Sequence, residues 1–221
     1  MKKEKEKVLC IIPARGGSKG IKLKNLQKVC DKPLIYYPVQ AAKKSKVCNK
    51  IIVSTDSNLI AKEAVKYGAE VPFLRKREFS GDFVTTEATL RNSLIEAENY
   101  YKEKYSICVF LTCTNLFRQS SWIKEAVNIL KRNKSIDSAF SVHGFYKHVW
   151  HKKGKKFTKV SKWMKSYTSR QVGQRLYRED TGLASATRAK FWRAGKRIGK
   201  KVSFIVNDDP FTGIDIHTKK D

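Results

Sequence analysis

A glycine-rich, basic segment directly follows the first apolar run of the sequence, and its residue types are suited to chemistry. It reads Pro13-Ala-Arg-Gly-Gly-Ser-Lys-Gly20, with a further basic residue at Lys24. Glycines let a backbone approach a ligand closely and turn its N–H groups inward, while Arg and Lys side chains supply positive charge. This combination predicts a site for the phosphate groups of a polyphosphate ligand.

The segment matches neither of the two best-known phosphate-binding loops. A Walker A loop needs four residues between its first glycine and Gly-Lys-Ser/Thr, and the dinucleotide loop needs Gly-x-Gly-x-x-Gly. The competing interpretation is a glycine-rich surface turn with solvated lysines. We favour a ligand site, because the segment follows an opening strand and open α/β sheets bind ligands beyond the carboxyl ends of their strands.

The elements that must position this segment follow an alternating pattern. Short apolar, β-branched runs alternate with helical patterns, which indicates an α/β fold. Apolar residues repeat at three- and four-residue spacing around Ile60, Leu90 and Ile123, and this predicts three helices packed on a sheet. A helix over about residues 33–46 must keep Pro38 in its first turn. The six apolar runs are Val8–Ile12, Ile51–Ser54, Glu70–Phe73, Ile107–Leu111, Ser138–Val142 and Val202–Val206.

Length and composition fit a single domain over residues 1–221. A chain of 221 residues with 41% hydrophobic residues can bury a sizeable core, which excludes disorder for most of it. No apolar run approaches the ~20 residues that cross a bilayer, and the run 8–14 is too short for a signal peptide, so we expect a cytoplasmic protein without membrane contact. The five cysteines match no zinc or redox spacing and predict reduced thiols.

The charge balance points to anionic partners in general. The sequence has 47 basic and 20 acidic residues, which gives a net charge of +27. Such an excess attracts nucleic acid, phosphorylated ligands or acidic surfaces. Lysines outnumber arginines, whereas proteins that read base edges rely on arginine for bidentate contacts. Any nucleic-acid binding is therefore expected to be non-specific.

Residues 143–178 interrupt the alternation. This stretch has many lysines, arginines and aromatic residues, and it contains no acidic residue. We predict a β-rich inserted arm. A partner subunit is expected to cover part of its aromatic surface, because a protrusion cannot bury so many large rings by itself.

Several short motifs follow one another along the chain in an order that is typical of one protein family. They are Ile12–Gly20 followed by Lys24-Asn25, Pro33-Leu-Ile, Ile52–Ser57, Tyr67-Gly-Ala-Glu-Val, Leu74-Arg75, Asp82, Arg118, Tyr177–Gly182 and Asp215. In this order the sequence resembles the acylneuraminate cytidylyltransferases, or CMP-sialic acid synthetases, over nearly its whole length. The resemblance implies a Rossmann-like nucleotidyltransferase fold of the α/β class, in which helices flank a mostly parallel sheet. It further implies that two copies of the chain form a homodimer through the inserted arm. It also implies that CTP and Mg²⁺ convert a 2-keto sugar acid into its CMP derivative, with release of pyrophosphate.

The same resemblance implies roles for individual residues. Those expected to bind the nucleotide are Ala14, Arg15, Gly16, Gly17, Ser18, Lys19, Asn25, Arg75 and Thr86. Those expected to act in catalysis are Arg15, Lys19, Lys24 and Asp215. Those expected to contact the sugar acid are Thr112, Arg170 and Gln171. The metal is assigned to Asp215, with His217 as a second candidate ligand.

Two positions depart from the family pattern. The stretch Leu111-Thr-Cys-Thr-Asn-Leu-Phe-Arg118 stands where the family has Leu-Gln-Pro-Thr-Ser-Pro-Leu-Arg, so Thr112 replaces a glutamine that would contact the sugar. His217 replaces an acidic residue, and since Mg²⁺ prefers oxygen ligands, we expect His217 to meet a phosphate or a metal-bound water instead. The acceptor therefore stays open among sialic acid, legionaminic or pseudaminic acid and another keto acid.

Two other interpretations stand beside CMP transfer. A nucleic-acid-binding protein would stack bases on Trp150, Trp163 and Tyr167 of the basic arm, but this leaves the glycine-rich segment unexplained. A diverged family member without catalysis would account for Thr112 and His217.

Overall fold

The computed structural model describes residues 6–160, 175–218 and 220–221. Most of the strands in these residues join one seven-stranded sheet, and the others form two short hairpins. In chain order the strands are β1 (Val8–Pro13), β2 (Lys28–Val29), β3 (Lys32–Pro33), β4 (Lys50–Ser54), β5 (Ile107–Phe110), β6 (Ser138–Phe145), β7 (Trp150–Lys153), β8 (Lys156–Lys159), β9 (Leu176–Glu179), β10 (Ser185–Arg188) and β11 (Val202–Asn207). The α-helices are α1 (Tyr36–Ser45), α2 (Asn58–Lys66), α3 (Thr86–Tyr101), α4 (Ser120–Arg132) and α5 (Ala189–Arg193).

The central sheet combines parallel and antiparallel pairing. Its strand order is β11-β6-β10-β5-β1-β4, and β9 pairs with β6 outside this path. β1 lies parallel to both β4 and β5, and β11 lies parallel to β6. β10 runs antiparallel between β5 and β6, and β9 is antiparallel to β6. The predicted α/β class and its helix-flanked, mostly parallel sheet are confirmed.

Two hydrophobic clusters fill the space on either side of the sheet. Successive side chains of a strand point to opposite faces. On β1, Val8, Cys10 and Ile12 therefore join the cluster that includes α1, α2 and α4, whereas Leu9 and Ile11 join the cluster that includes α3 and α5. Complete burial of β1 on both faces explains its unbroken apolar sequence.

The predicted strands and helices agree with the structure in most places. The helix expected over about 33–46 begins at Tyr36, so Pro38 lies in its first turn as required. The strand expected over Glu70–Phe73 is wrong, because only Glu70 pairs, through an isolated bridge to Ile52. Pro72 lacks the N–H that a continuing ladder would need.

The described part of the inserted arm consists of strands. β7 and β8 form a two-stranded antiparallel hairpin that leaves Trp150 and Phe157 exposed. β9 brings the chain back along β6. Trp163 and Tyr167 lie outside the described residues. No helix among the described residues is long and apolar enough to cross a bilayer.

Candidate nucleotide-binding site

Two adjoining cavities open where β1 and β5 end. The first has a volume of about 300 Å³ and the second about 500 Å³, and both are lined by Pro13, Arg15 and Thr112. The first cavity is further lined by Arg75, Phe79, Gly81, Asp82, Val84, Thr86, Thr89 and Phe110. The second is further lined by Ser18, Lys19, Gly20, Lys24, Asn25, Cys113, Thr114 and His217. Most residues assigned to the nucleotide from sequence therefore surround one two-part cleft.

The backbone of the glycine-rich loop is fixed by contacts from other segments. Gly16 N donates to Asp56 Oδ1 at 2.8 Å, and Asn25 Nδ2 donates to the carbonyl of Arg15 at 3.0 Å. Ala14 is buried and continues the β1 ladder through its N–H to Ser54 O at 2.9 Å. Asn25 thus contributes by holding the backbone that carries Arg15.

Gly20 is required by a close approach of two backbone segments. A Cβ atom at this position would lie 2.4 Å from the carbonyl oxygen of His217, whereas a Cβ at Gly17 would meet nothing within 4 Å. The loop is therefore packed directly on the chain segment that carries Asp215 and His217. Only a residue without a side chain allows this contact.

Gly20→Ala is expected to destabilise the protein, whereas Gly17→Ala is the matched control in the same loop. The added methyl group at position 20 must push the backbone of His217 away, and such overpacking typically costs about 1–3 kcal/mol. Urea unfolding of both variants measures the difference. A Gly20→Ala variant as stable as Gly17→Ala would contradict the close packing of the two segments.

Arg15 and Lys19 share one carboxylate across the cleft. Arg15 Nη2 lies 3.1 Å from Asp82 Oδ1, and Lys19 Nζ lies 2.7 Å from Asp82 Oδ2. Arg15 Nη1 also donates to the carbonyl of Gly81 at 3.1 Å. The hydrogen bond from Lys19, supported by the charge of Arg15, lowers the pKa of Asp82. The carboxylate is therefore ionised at neutral pH.

Lys24 connects the loop to the segment that carries the proposed metal ligand. Its Nζ donates to the carbonyl of Ile216 at 3.1 Å. Burial lowers the pKa of Lys24, and the nearby charge of Asp215 partly opposes that shift. The two segments therefore bring a cation that lines the second cavity close to the carboxylate of Asp215.

Asp215 meets one requirement of a metal ligand. Its Oδ1 is buried and has no hydrogen-bond partner in the described part of the chain, while its Oδ2 lies 3.1 Å from His217 Nε2. Mg²⁺ is typically held by one or two carboxylates together with substrate phosphates. An unpartnered carboxylate oxygen near Lys24 fits that donor set. His217 contacts this carboxylate and is therefore placed to orient the Asp215 side chain.

Arg75 and Thr86 line the first cavity in different ways. Arg75 is buried, its Nε donates to Ser54 Oγ at 3.0 Å, and its Nη2 contacts the carbonyl of Ser54. Burial lowers the pKa of Arg75 to about 10. Thr86 is the first residue of α3, whereas Thr85 caps this helix by accepting from Ala88 N at 3.2 Å. Thr86 therefore remains available to a ligand.

The loop after β5 is held by a residue whose structural role the sequence did not reveal. Arg118 Nη2 donates to the carbonyls of Thr112 at 2.7 Å and Gly182 at 2.6 Å, and its Nε donates to that of Leu183 at 2.5 Å. Thr112 Oγ1 lies 2.6 Å from Asn115 Oδ1. The guanidinium thus ties the segment carrying Thr112 to the turn after β9. Its place at the end of the Leu111–Arg118 stretch was the only signal.

Two residues assigned to the sugar acid cannot be placed. Arg170 and Gln171 lie outside the described residues. Two acidic residues in the described segments on either side of β10 make local contacts. Asp180 forms a bidentate ion pair with Arg178 at 2.9 and 3.0 Å, and Asp209 accepts from Phe211 N at 3.0 Å at the start of a short 3₁₀-helix.

The sheet, its flanking helices and the two-part cleft define an α/β protein with a nucleotidyltransferase fold. A family model described as cytidylyltransferase matches residues 9–203, so the chain belongs to the cytidylyltransferase family. This confirms the family resemblance seen in the sequence.

Curated relatives match the chain over part of their length. The chain is 38% identical over 128 residues to post-translational flagellin modification protein B of Campylobacter coli, which covers 58% of this chain and 54% of that protein. It is 35% identical over 131 residues to pseudaminic acid cytidylyltransferase of Campylobacter jejuni, with 58% and 55% covered. It is 35% identical over 136 residues to N-acylneuraminate cytidylyltransferase of Escherichia coli, with 62% and 31% covered. The chain thus spans about half the length of the first two relatives.

Solved structures support the fold. A CMP:2-keto-3-deoxy-manno-octonic acid synthetase complexed with CTP superposes with a TM-score of 0.68 at 13% identity, covering 97% of this chain and 95% of that one. A 4-diphosphocytidyl-2C-methyl-D-erythritol synthase superposes with a TM-score of 0.70 at 11% identity, covering 99% and 96%. At these identities the likeness concerns the fold alone.

Proposed function

We propose that this protein transfers CMP from CTP to the anomeric hydroxyl of a 2-keto sugar acid and releases pyrophosphate. The observation that carries the proposal is the cleft itself, in which Arg15, Lys19 and Lys24 surround the end of β1 in a chain of the cytidylyltransferase family. In this reaction the sugar oxygen bonds to the α-phosphorus as the bond from that phosphorus to the bridging oxygen breaks.

The protein's part in this reaction is positioning and charge neutralisation. Phosphoryl-type transfers need few covalent steps from the enzyme, and fixed cations near the phosphates stabilise the charge that develops. Arg15 and Lys19 extend from the glycine-rich loop, and Lys24 is held by the carbonyl of Ile216. Asn25 and Asp56 fix the loop backbone, so the positions from which Arg15 and Lys19 extend are set before a ligand binds.

We assign Mg²⁺ to Asp215, whose Oδ1 lacks a partner among the described residues. A bound Mg²⁺ supplies further positive charge at the phosphates. His217 orients the Asp215 carboxylate through its Nε2.

The acceptor is proposed to be a nonulosonic acid. The relatives named for their activity include cytidylyltransferases for pseudaminic acid and N-acylneuraminate and a CMP-N,N'-diacetyllegionaminic acid synthase. Thr112 lines both cavities, and its hydroxyl contacts Asn115. Because it lies between the two cavities and has a small side chain, Thr112 is the position most suited to select among these acids. Arg170 and Gln171 are proposed to bind the acid's carboxylate, since a guanidinium matches a carboxylate in shape and charge.

The assembly and compartment belong to the same proposal. The exposed aromatic residues of the β7–β8 hairpin support a homodimer that forms through the arm at 143–178. The five cysteines are all free thiols, which supports a reducing, cytoplasmic location. The family match does not favour a nucleic-acid-binding role, which also leaves the two-part cleft unexplained. A family member without catalysis is separated from an active enzyme by an assay of pyrophosphate release.

Pyrophosphate release tests the proposal directly. With Mg²⁺ and a panel of 2-keto sugar acids, we expect release only when CTP and a suitable acid are both present. ATP, GTP and UTP should react at least about tenfold more slowly, because a site that hydrogen-bonds one base rejects others strongly. Equal rates with all four nucleotides would contradict the CTP assignment. CTP-induced thermal stabilisation without turnover on any acid would identify a member of the family that has lost catalysis.

A further inference from the structure

Asp82 is an acidic residue inside a cleft that is otherwise built to bind anions. It lies in the segment between the 3₁₀-helix Arg77–Phe79 and α3. One carboxylate oxygen lies 3.1 Å from Arg15 Nη2, and the other lies 2.7 Å from Lys19 Nζ. Its carboxylate therefore forms ion pairs with both of the cations that the proposed function assigns to the triphosphate.

The contacts of Asp82 differ from those of other aspartates near loops. Asp56 accepts from the backbone of Gly16, Asp137 accepts from two backbone N–H groups of the 200–201 segment, and Asp209 caps a 3₁₀-helix. Each of these side chains fixes a backbone. In the described part of the chain Asp82 contacts only the two cations, so its carboxylate holds no loop or helix end in place.

We propose that Asp82 is an internal counter-anion that the phosphates of the nucleotide displace from Arg15 and Lys19, and that it thereby sets the charge a ligand needs to enter. This inference rests on the proposed function. A ligand must replace the negative charge of Asp82 with its own charge. A singly charged ligand therefore gains little net attraction from Arg15 and Lys19. A triphosphate brings several charges and gains much more, because Coulomb attraction scales with charge.

The geometry makes this displacement easy. Asp82 is 36% exposed, and the side chain of Lys19 is 76% exposed. Solvent-exposed ion pairs contribute little, because water screens them and two side chains lose freedom. The carboxylate therefore keeps the cations in place without the ligand and leaves when a more highly charged group arrives. Asp82 stays ionised at neutral pH before and after this exchange, because the ordinary pKa of an aspartate, about 3.9, already lies well below 7.

Asp82→Asn tests the inference by calorimetric binding of CTP and of inorganic tripolyphosphate, each with and without Mg²⁺. Asparagine keeps the shape and removes the charge. We expect both ligands to bind about three- to tenfold more tightly, since two exposed ion pairs no longer compete. Uncharged cytidine should bind unchanged. Glu78→Gln is the matched control, because this exposed acid of the preceding 3₁₀-helix has no ion pair in the described residues. It should alter binding by less than about twofold.

The outcomes separate this inference from the proposed function. Tripolyphosphate binding that is unchanged or weaker in Asp82→Asn would overturn the inference, since the carboxylate would then not compete with the phosphates for Arg15 and Lys19. Tighter tripolyphosphate binding by a protein that does not bind CTP would support the inference and contradict the proposed function. An equal gain in Glu78→Gln would overturn the inference, since the gain would then reflect net charge alone.

Discussion

Asp215→Asn is expected to keep its fold and to lose more than about a hundredfold in turnover. The amide is nearly isosteric with the carboxylate, so the contact with His217 and the packing around Lys24 should survive. Asparagine lacks the negative charge that a hard cation such as Mg²⁺ needs in its ligand. In the described chain Asp215 Oδ1 has no hydrogen-bond partner that would give it another role. The loss should exceed the 10- to 100-fold effect that is usual for residues acting behind a metal ligand. Turnover measured across a titration of Mg²⁺, Mn²⁺ and Co²⁺ provides the test.

His217→Gln serves as the comparison in the same titration. Because His217 contacts the Asp215 carboxylate, its replacement should lower turnover by about 10- to 100-fold and leave the metal preference unchanged. Wild-type turnover that requires Mn²⁺ or Co²⁺ would instead identify His217 as a direct ligand, since imidazole suits those ions better. Full turnover in Asp215→Asn would remove the metal assignment.

Arg118→Met should lower the free energy of unfolding by about 2–4 kcal/mol. Hydrogen bonds that involve a charged group contribute about 1.5–3 kcal/mol each, and the carbonyls of Thr112 and Leu183 lose the donor that Arg118 provides. Methionine recovers part of this loss, because Nη1 of Arg118 is buried without a partner among the described residues and burial lowers the pKa of the guanidinium to about 10. Denaturant unfolding measures the change.

Arg91→Met is the matched control for this substitution. Arg91 is exposed and makes one hydrogen bond within the described residues, from Nε to the carbonyl of Arg193 at 2.9 Å. Both variants lose one positive charge, but Arg118 binds three carbonyls and so links two separate segments, that of Thr112 and that of Gly182 and Leu183. We expect Arg91→Met to change stability by less than about 0.5 kcal/mol. Equal effects in the two variants would show that the Arg118 contacts do not stabilise the loop after β5.

The strands that sequence predicted correctly are those with a strong apolar pattern. β1 is buried on both faces, and its continuous run Val8–Ile12 follows directly from that position. β10 was not predicted, because its sequence Ser-Ala-Thr-Arg has no apolar alternation. It is nevertheless buried between β5 and β6, where small side chains fit and Thr187 Oγ1 pairs with Ser138 Oγ at 2.9 Å. Such packing depends on neighbours that are distant in sequence.

The candidate site was predictable as a set of residues but not as a set of contacts. The glycines and cations of the 13–20 segment could be recognised, since phosphate binding requires those residue types. The pairing of Asp82 with Arg15 and Lys19 could not, because a chain with 47 basic residues offers many partners for each acid. The sequence identified Asp82 only as one residue of the family pattern, without indicating its partners.

The place of β10 in the sheet has a consequence for synthesis of the chain on the ribosome. β5 and β6 flank β10, yet both are translated well before Ser185–Arg188 emerges. Until then, the growing chain carries two strand edges whose backbone groups lack their final partner. Unpaired edges are templates for wrong pairing, and domains emerge at only about 5–20 residues per second. The nascent protein therefore passes through an interval in which protection from aggregation depends on its cellular surroundings rather than on its own sheet.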